Sequence, residues 1–229
     1  MSTNAHVRTE SPMTERLALL FTVCTLLLGA CRGPGPVQDP TLLIEGNLGT
    51  ELGVNTDYGI LFLGRYSRAG QINLTAWFGD GPSIESTIVE PVGGGLFTAE
   101  TEIRLPSIPL TFVDPVAGQE VIIAGRHGRT GWRKKARVVK DDRVRSGILL
   151  DLSATDQLSQ NQVGAPVFLQ LDDGEWYCLG VISGRVQLSD ADGVAEYLTV
   201  IGPENTWRLV AHRRDINRRR PFVYREDVL

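Results

Sequence analysis

From Thr41 onward the chain breaks into short apolar, β-branched stretches, each bounded by Gly, Pro or Asp. This alternation constrains the fold more than any other feature. Runs of this length suit strands rather than helices, and Gly, Pro and Asp between them turn the chain. Eleven candidate strands follow: 59–63, 72–78, 86–89, 96–105, 110–113, 120–124, 136–140, 147–152, 166–171, 176–183 and 196–201. Asp172-Asp173-Gly174, between two of them, signals a hairpin. One helix is predicted after Gly202-Pro203, because Pro suits a first helical turn. Trp207, Leu209 and Val210 offer it a packing face. Glycine occurs 25 times in 229 residues and long Ala/Glu/Lys/Leu stretches are missing, which favours the all-β class. Eleven strands and a terminal helix fit two small barrels or a double sandwich.

Composition then excludes several function classes. With 42% hydrophobic and 22% charged residues the chain is not of the disordered type. A net charge of −4 argues against a dedicated nucleic-acid binder. Three Cys and three His are too few for a zinc cluster or a disulfide scaffold, and no metal or other cofactor is expected. No internal repeat is visible.

The N-terminal part reads as an address. Residues 17–30, LALLFTVCTLLLGA, form an uncharged apolar run. It falls short of the ~20 residues a bilayer crossing needs, but fits the core of a secretory signal. Arg16 precedes it, and it ends in Leu28-Gly29-Ala30-Cys31, which resembles the lipobox of bacterial lipoproteins. The resemblance implies cleavage before Cys31, a diacylglyceryl group on its sulfur and acylation of the new amino terminus. An ordinary cleaved signal or a buried helix is the alternative. The expected organisation is a signal peptide over 1–30, a Gly/Pro tether over 31–41, a folded domain over 42–213 and a basic tail over 214–229. The charges of residues 1–16 cancel, and Met13 offers a second start that gives a more usual signal length. By resemblance to enteric lipoproteins, Arg32 rather than Asp after Cys31 implies sorting to the outer membrane, where there is one. The expected location is the bacterial cell envelope, with a membrane as partner through the lipid.

Asn161-Gln162-Val163-Gly164-Ala165-Pro166-Val167 resembles the Gly-Asp-Ser-Gly-Gly-Pro-Val loop of trypsin-like serine proteases. Asp173-Gly174-Glu175-Trp176 followed by Leu179-Gly180-Val181-Ile182-Ser183-Gly184 is similar to the hairpin after that family's nucleophile. Trp207-Arg208-Leu209-Val210 resembles its closing helix, and residues 118–130 the start of its second barrel. The likeness covers 118–212 and reaches the first half through Leu74-Thr75-Ala76, similar to the triplet before the catalytic His. It implies a double six-stranded barrel with a short C-terminal helix.

That family's mechanism needs a Ser nucleophile, a His base and a carboxylate that orients the His. By resemblance the nucleophile position is Val163, which has no atom that attacks a carbonyl. Counting from Leu74-Thr75-Ala76, the base position is Phe78, which accepts no proton. The carboxylate position is matched by Glu102 in Thr101-Glu102-Ile103-Arg104-Leu105. Gln162, Val163 and Gly164 are the remnant of the oxyanion loop. No catalytic residue is thus expected.

Few other residues could carry chemistry. Ser153 and Ser159 precede the loop, and His127 and His212 are the histidines of the mature chain. Cys178, in mid-strand, reads as a small buried hydrophobe, and with Cys24 removed and Cys31 lipidated it has no disulfide partner. The basic segment from Arg126 to Arg145 suits anionic headgroups or a polyanion; the alternative is a hairpin face balanced by Asp141 and Asp142. Gly93-Gly94-Gly95 lacks the Lys-Ser/Thr of a phosphate loop and reads as a flexible turn.

Three functions follow. The first is a membrane-anchored, non-catalytic serine-protease homologue that binds a peptide or envelope partner. The second is an active serine hydrolase with a non-standard set, which requires Ser153 or Ser159 within reach of His127 or His212. The third is an envelope β-domain unrelated to proteases, expected to show a different strand order.

Overall fold

The computed structural model describes residues 39–66, 71–78, 81–128, 130–144, 148–152, 163–190 and 193–219. The expected signal peptide, Met13, Cys31, most of the tether, Ser153, Ser159, Asn161, Gln162, Arg145 and the end of the tail lie outside the described residues.

Twelve strands form two closed antiparallel barrels. The first contains β1 (Thr41–Gly46), β2 (Gly49–Thr56), β3 (Gly59–Phe62), β4 (Gln71–Phe78), β5 (Gly81–Gly93) and β6 (Leu96–Ala99). The second contains β7 (Glu120–His127), β8 (Thr130–Val139), β9 (Ile148–Leu152), β10 (Pro166–Gln170), β11 (Trp176–Asp190) and β12 (Gly193–Ile201). Around the first barrel the order is β1-β2-β3-β6-β5-β4; around the second it is β7-β8-β9-β12-β11-β10. Both barrels are wound by the same rule, and each strand pairs with a neighbour on either side over part of its length. This is the double barrel that the resemblance implies.

Inward positions alternate with outward ones, as the pleat demands. Leu42, Ile44, Ile60, Phe62, Ile72 and Leu74 fill the first barrel. Val121, Ile123, Val138, Leu150, Val167 and Val200 fill the second. Leu52 of β2 belongs to this second cluster, so a first-barrel side chain plugs its neighbour. A third cluster, including Val54, Leu61, Ile122, Phe168 and Val181, fills the space between barrels.

Two strands, β1 and β2, escape the sequence pattern, because Gly46, Gly49 and Gly53 interrupt their apolar run. Residues 110–113, expected as a strand, form none. Prolines 109 and 115 bracket them, and they belong to the connection between barrels. Leu110 makes a single bridge to Cys178 and Thr111 N–H donates to its carbonyl at 3.0 Å, while Phe112 and Val113 are exposed. The candidate 96–105 ends as a strand at Ala99, since Glu85 captures the following turn by accepting hydrogen bonds from Thr101 Oγ1 and the Glu102 and Ile103 amides.

The helix α1 (Pro203–Arg219) starts where expected, with Glu204 in its first turn suiting the helix dipole. Its packing face is Thr206, Leu209 and Val210, at i, i+3 and i+4. Trp207, expected on that face, is 49% exposed. One position round from Thr206, it points aside; its Nε1–H donates to Glu204 O at 2.7 Å and its ring lies 5.3 Å from the Arg208 guanidinium. α1 follows the second barrel in sequence yet packs on β5, β3 and β6 of the first as well as on β11 and β12. His212 Nε2 and Glu90 Oε2 are hydrogen-bonded at 2.9 Å, and Arg213 is ion-paired with Glu100. The turn of residues 93–95 lies against this helix, with Asn205 beside Gly94.

Candidate functional site

Val163 and Gly164 form the turn that leads into β10. Gly164 N–H donates to Ile182 O at 2.8 Å, and Ile182 N–H donates to Ala165 O at 2.9 Å. These bonds lock the turn onto β11 of its own barrel. The opposite side of the turn meets β2 of the other barrel, where Leu52 N–H faces Val163 O at 3.5 Å. Gly164 has φ 88°, and a Cβ there would lie 2.2 Å from the Leu52 carbonyl oxygen. Only glycine satisfies both demands. The Val163 side chain packs, half-buried, against the cluster between barrels, which includes Leu63.

Leu63 opens a second segment of this seam. Residues 63–66 follow β3, and Gly64, at φ 63°, turns the chain where a Cβ would sit 2.3 Å from the Phe97 ring. Tyr66 lies over Gly49, and Leu48 N–H donates to Tyr66 O at 3.3 Å. Beneath this turn is Glu51, one residue before Leu52 and 2% exposed. Its Oε1 accepts from Tyr66 N–H at 3.5 Å, while Oε2 is buried without a hydrogen-bond partner. Burial pushes its pKa up, against the pull of the backbone amides of residues 63–66.

The sequence-derived residues are thus spread over the molecule. Val163 and Gly164 meet at the seam. Phe78 ends β4, opposite Gly81 in the β4–β5 hairpin. Glu102 lies beyond β6 and is exposed, its own amide donating to Glu85 Oε1 at 2.7 Å. His127 ends β7, exposed and opposite Thr130, and His212 sits on α1 beside Glu90. Sequence reasoning missed Glu51, Leu52 and the turn at 63–66. The available signal was a lone carboxylate in Thr50-Glu51-Leu52-Gly53-Val54, between residues that a strand buries.

Cys178 is a buried free thiol, as read from the sequence. Its Sγ–H faces Gly180 O at 3.6 Å, and desolvation pushes its pKa up to about 12, so it holds no thiolate at neutral pH. The basic segment is laced with acids. Arg126 pairs with Asp39 at 2.7 Å, Lys135 with Glu120 at 2.8 Å and Arg143 with Asp141 at 2.5 Å. Hydrogen bonds from Arg143 hold the Asp141 carboxyl down to about 2. Among the described residues, no group of three His, Cys, Asp or Glu converges to hold a metal ion. A cavity of about 390 Å³ lies between the segment 139–144 and the start of α1, lined by Asp114, Asp141, Asp142, Ile148, Pro203 and Glu204. It shares no residue with the seam.

No protein-family model matches the chain, and no curated protein matches it. Solved structures do. The MamO protease domain from Magnetospirillum magneticum, in its apo form, superimposes with a TM-score of 0.53 at 18% identity, covering 77% of this chain and 96% of that one. The Rv3671c protease of M. tuberculosis, in an inactive form, superimposes with a TM-score of 0.51 at 17% identity, covering 76% of this chain and 88% of that one. At these identities the likeness speaks for the fold alone: the chain has the double barrel of trypsin-like serine proteases.

Proposed function

With that fold as premise, we propose that the chain is a lipid-anchored, non-catalytic homologue of serine proteases that binds an extended peptide or an envelope protein beside Val163. The observation that carries the reading is Val163 itself. It stands before a Gly-Ala-Pro-Val stretch at the barrel seam, backbone fixed from both sides, and offers only an isopropyl group at the position that the sequence resemblance matches to the nucleophile. Removing nucleophile and base together from such a site leaves little beyond binding and residual polarisation.

A route for binding supports the same reading. β10 pairs with β11 as far as Val181, whereas β12 accompanies β11 to Asp190. On its other side, β11 beyond Ser183 has no strand partner among the described residues. An extended segment adds to such an edge by main-chain hydrogen bonds. That edge begins next to Ile182, which holds Gly164.

The test uses the purified chain from Arg32 onward, incubated with a fluorophosphonate probe, a broad peptide-substrate mixture and an immobilised peptide library. The expected result is neither labelling nor turnover, with retention of extended peptides that Arg185→Pro, on the β11 edge, weakens at least tenfold. Labelling or turnover that a seam substitution abolishes would transfer the assignment to the hydrolase class. Anchoring is tested separately: Cys31→Ala is expected to move the protein from the membrane fraction to the soluble one.

A further inference from the structure

We propose that Glu51 is a pH-dependent latch on the turn formed by residues 63–66. The Glu51 carboxyl lies between β2 and that turn, almost wholly out of water, with Oε1 accepting from the Tyr66 amide and Oε2 left without a hydrogen-bond partner. A neutral carboxylic acid tolerates this place. An ionised one strands half its charge without solvent or hydrogen bond, which is among the costlier arrangements a fold can hold. Opening the turn lets water reach Oε2 and relieves the cost.

Among the described residues, no charged side chain is paired with the Glu51 carboxyl. Opposite Glu51 on β1 is Ile44, and the neighbouring Glu45 is exposed. From the turn, Arg65 and Tyr66 approach through their backbone amides, and the Arg65 side chain is exposed. From the second barrel, Val163, which is apolar, faces the adjoining residue Leu52. The remaining influences are burial, which raises the pKa, and the amides of residues 63–66, which lower it by less.

The sign follows. A carboxyl whose pKa is raised in the closed form binds more protons there than in the open form. Closure is therefore strongest below the ordinary value of 4.5, weakens as pH rises from there to the raised value, and is constant above it. Within that window the closed-to-open ratio drops about tenfold per pH unit. The turn borders Val163 through the shared cluster around Leu63, so the latch adjusts the seam itself. It rests on the fold alone and holds whether or not the seam binds a partner.

Hydrogen–deuterium exchange on the full chain, expressed as protection relative to an unstructured peptide at each pH, reads the latch directly. Protection of residues 63–66 is expected to fall on raising pH from 4.5 to 8, while amides of Leu150 and Val200 in the second barrel keep theirs. Glu51→Gln, the neutral near-isostere, is expected to show high protection at every pH. The Glu51 carboxyl ¹³C resonance, assigned by its loss in Glu51→Gln, gives a readout in the unmutated protein, with titration expected above the ordinary value. Titration at or below that value overturns the latch. So does protection that does not change with pH, a pH dependence that survives in Glu51→Gln, or a parallel loss throughout the second barrel.

Discussion

At the residue scale, the seam depends on the smallest side chain in it. Gly164 combines a left-handed backbone with an approach to the Leu52 carbonyl that leaves no room for a methyl group. Gly164→Ala must strain the backbone and push the barrels apart, so we expect a loss of about 3 kcal/mol, read from urea denaturation. A loss below 0.5 kcal/mol would show that the turn relaxes freely. Val163 and Gly164 were legible in the sequence because their context is local: seven consecutive residues suffice to place the turn. Glu51 was not, because its burial is imposed by residues 63–66, which approach from a different strand connection. Sequence spacing carries no trace of such a meeting. Phe78 rests on counting along the chain and Glu102 on a short motif match, and the fold sets them at a hairpin end and beyond β6.

At the scale of elements, hairpins announced by their turns were read correctly. Asp172-Asp173-Gly174 closes the β10–β11 turn with Gly174 N–H donating to Leu171 O at 2.9 Å. The Asp173 carboxylate accepts from Glu175 N–H at 2.9 Å and from Tyr177 O–H at 2.8 Å, and these bonds lower its pKa. The β1–β2 hairpin was missed, because glycines inside both strands look like breaks until the neighbouring strands supply the pairing. The helix was found, but with one wrong side chain on its inner face. Its docking provides a quantitative contrast. Leu209 is fully buried, so Leu209→Ala is expected to cost about 3 kcal/mol. His212→Ala, removing a partly exposed contact to Glu90, is expected to cost less than about 1 kcal/mol. Equal losses would mean that the helix is held by its polar contacts rather than by its apolar stripe.

At the scale of the whole molecule, each barrel is held by chain that belongs to the other. Asp39, just before β1, is bound by Arg126 of β7, whose side chain is 7% exposed and whose Nε–H also donates to Thr41 O at 3.3 Å. α1, just after β12, lies on β5 and β6 of the first barrel. With Leu52 plugged into the second barrel, this reciprocity predicts one cooperative unfolding transition rather than two, with coincident fluorescence and circular-dichroism midpoints. Arg126→Ala is expected to destabilise the fold by about 2 kcal/mol and so lower the midpoint of that single transition, because it leaves a partly buried carboxylate without its cation. Two separated transitions in the unmutated protein would show that the barrels fold independently.

The crossed attachments also set how the molecule bears force. Tension arriving along the chain from the N-terminal side meets the Asp39–Arg126 pair before it reaches the first rung of the β1 ladder, so the load passes into the second barrel. Tension from the C-terminal side is delivered through α1 into the first. A pull on the two ends is therefore expected to load the Asp39–Arg126 pair and the α1 contacts before it opens any hairpin.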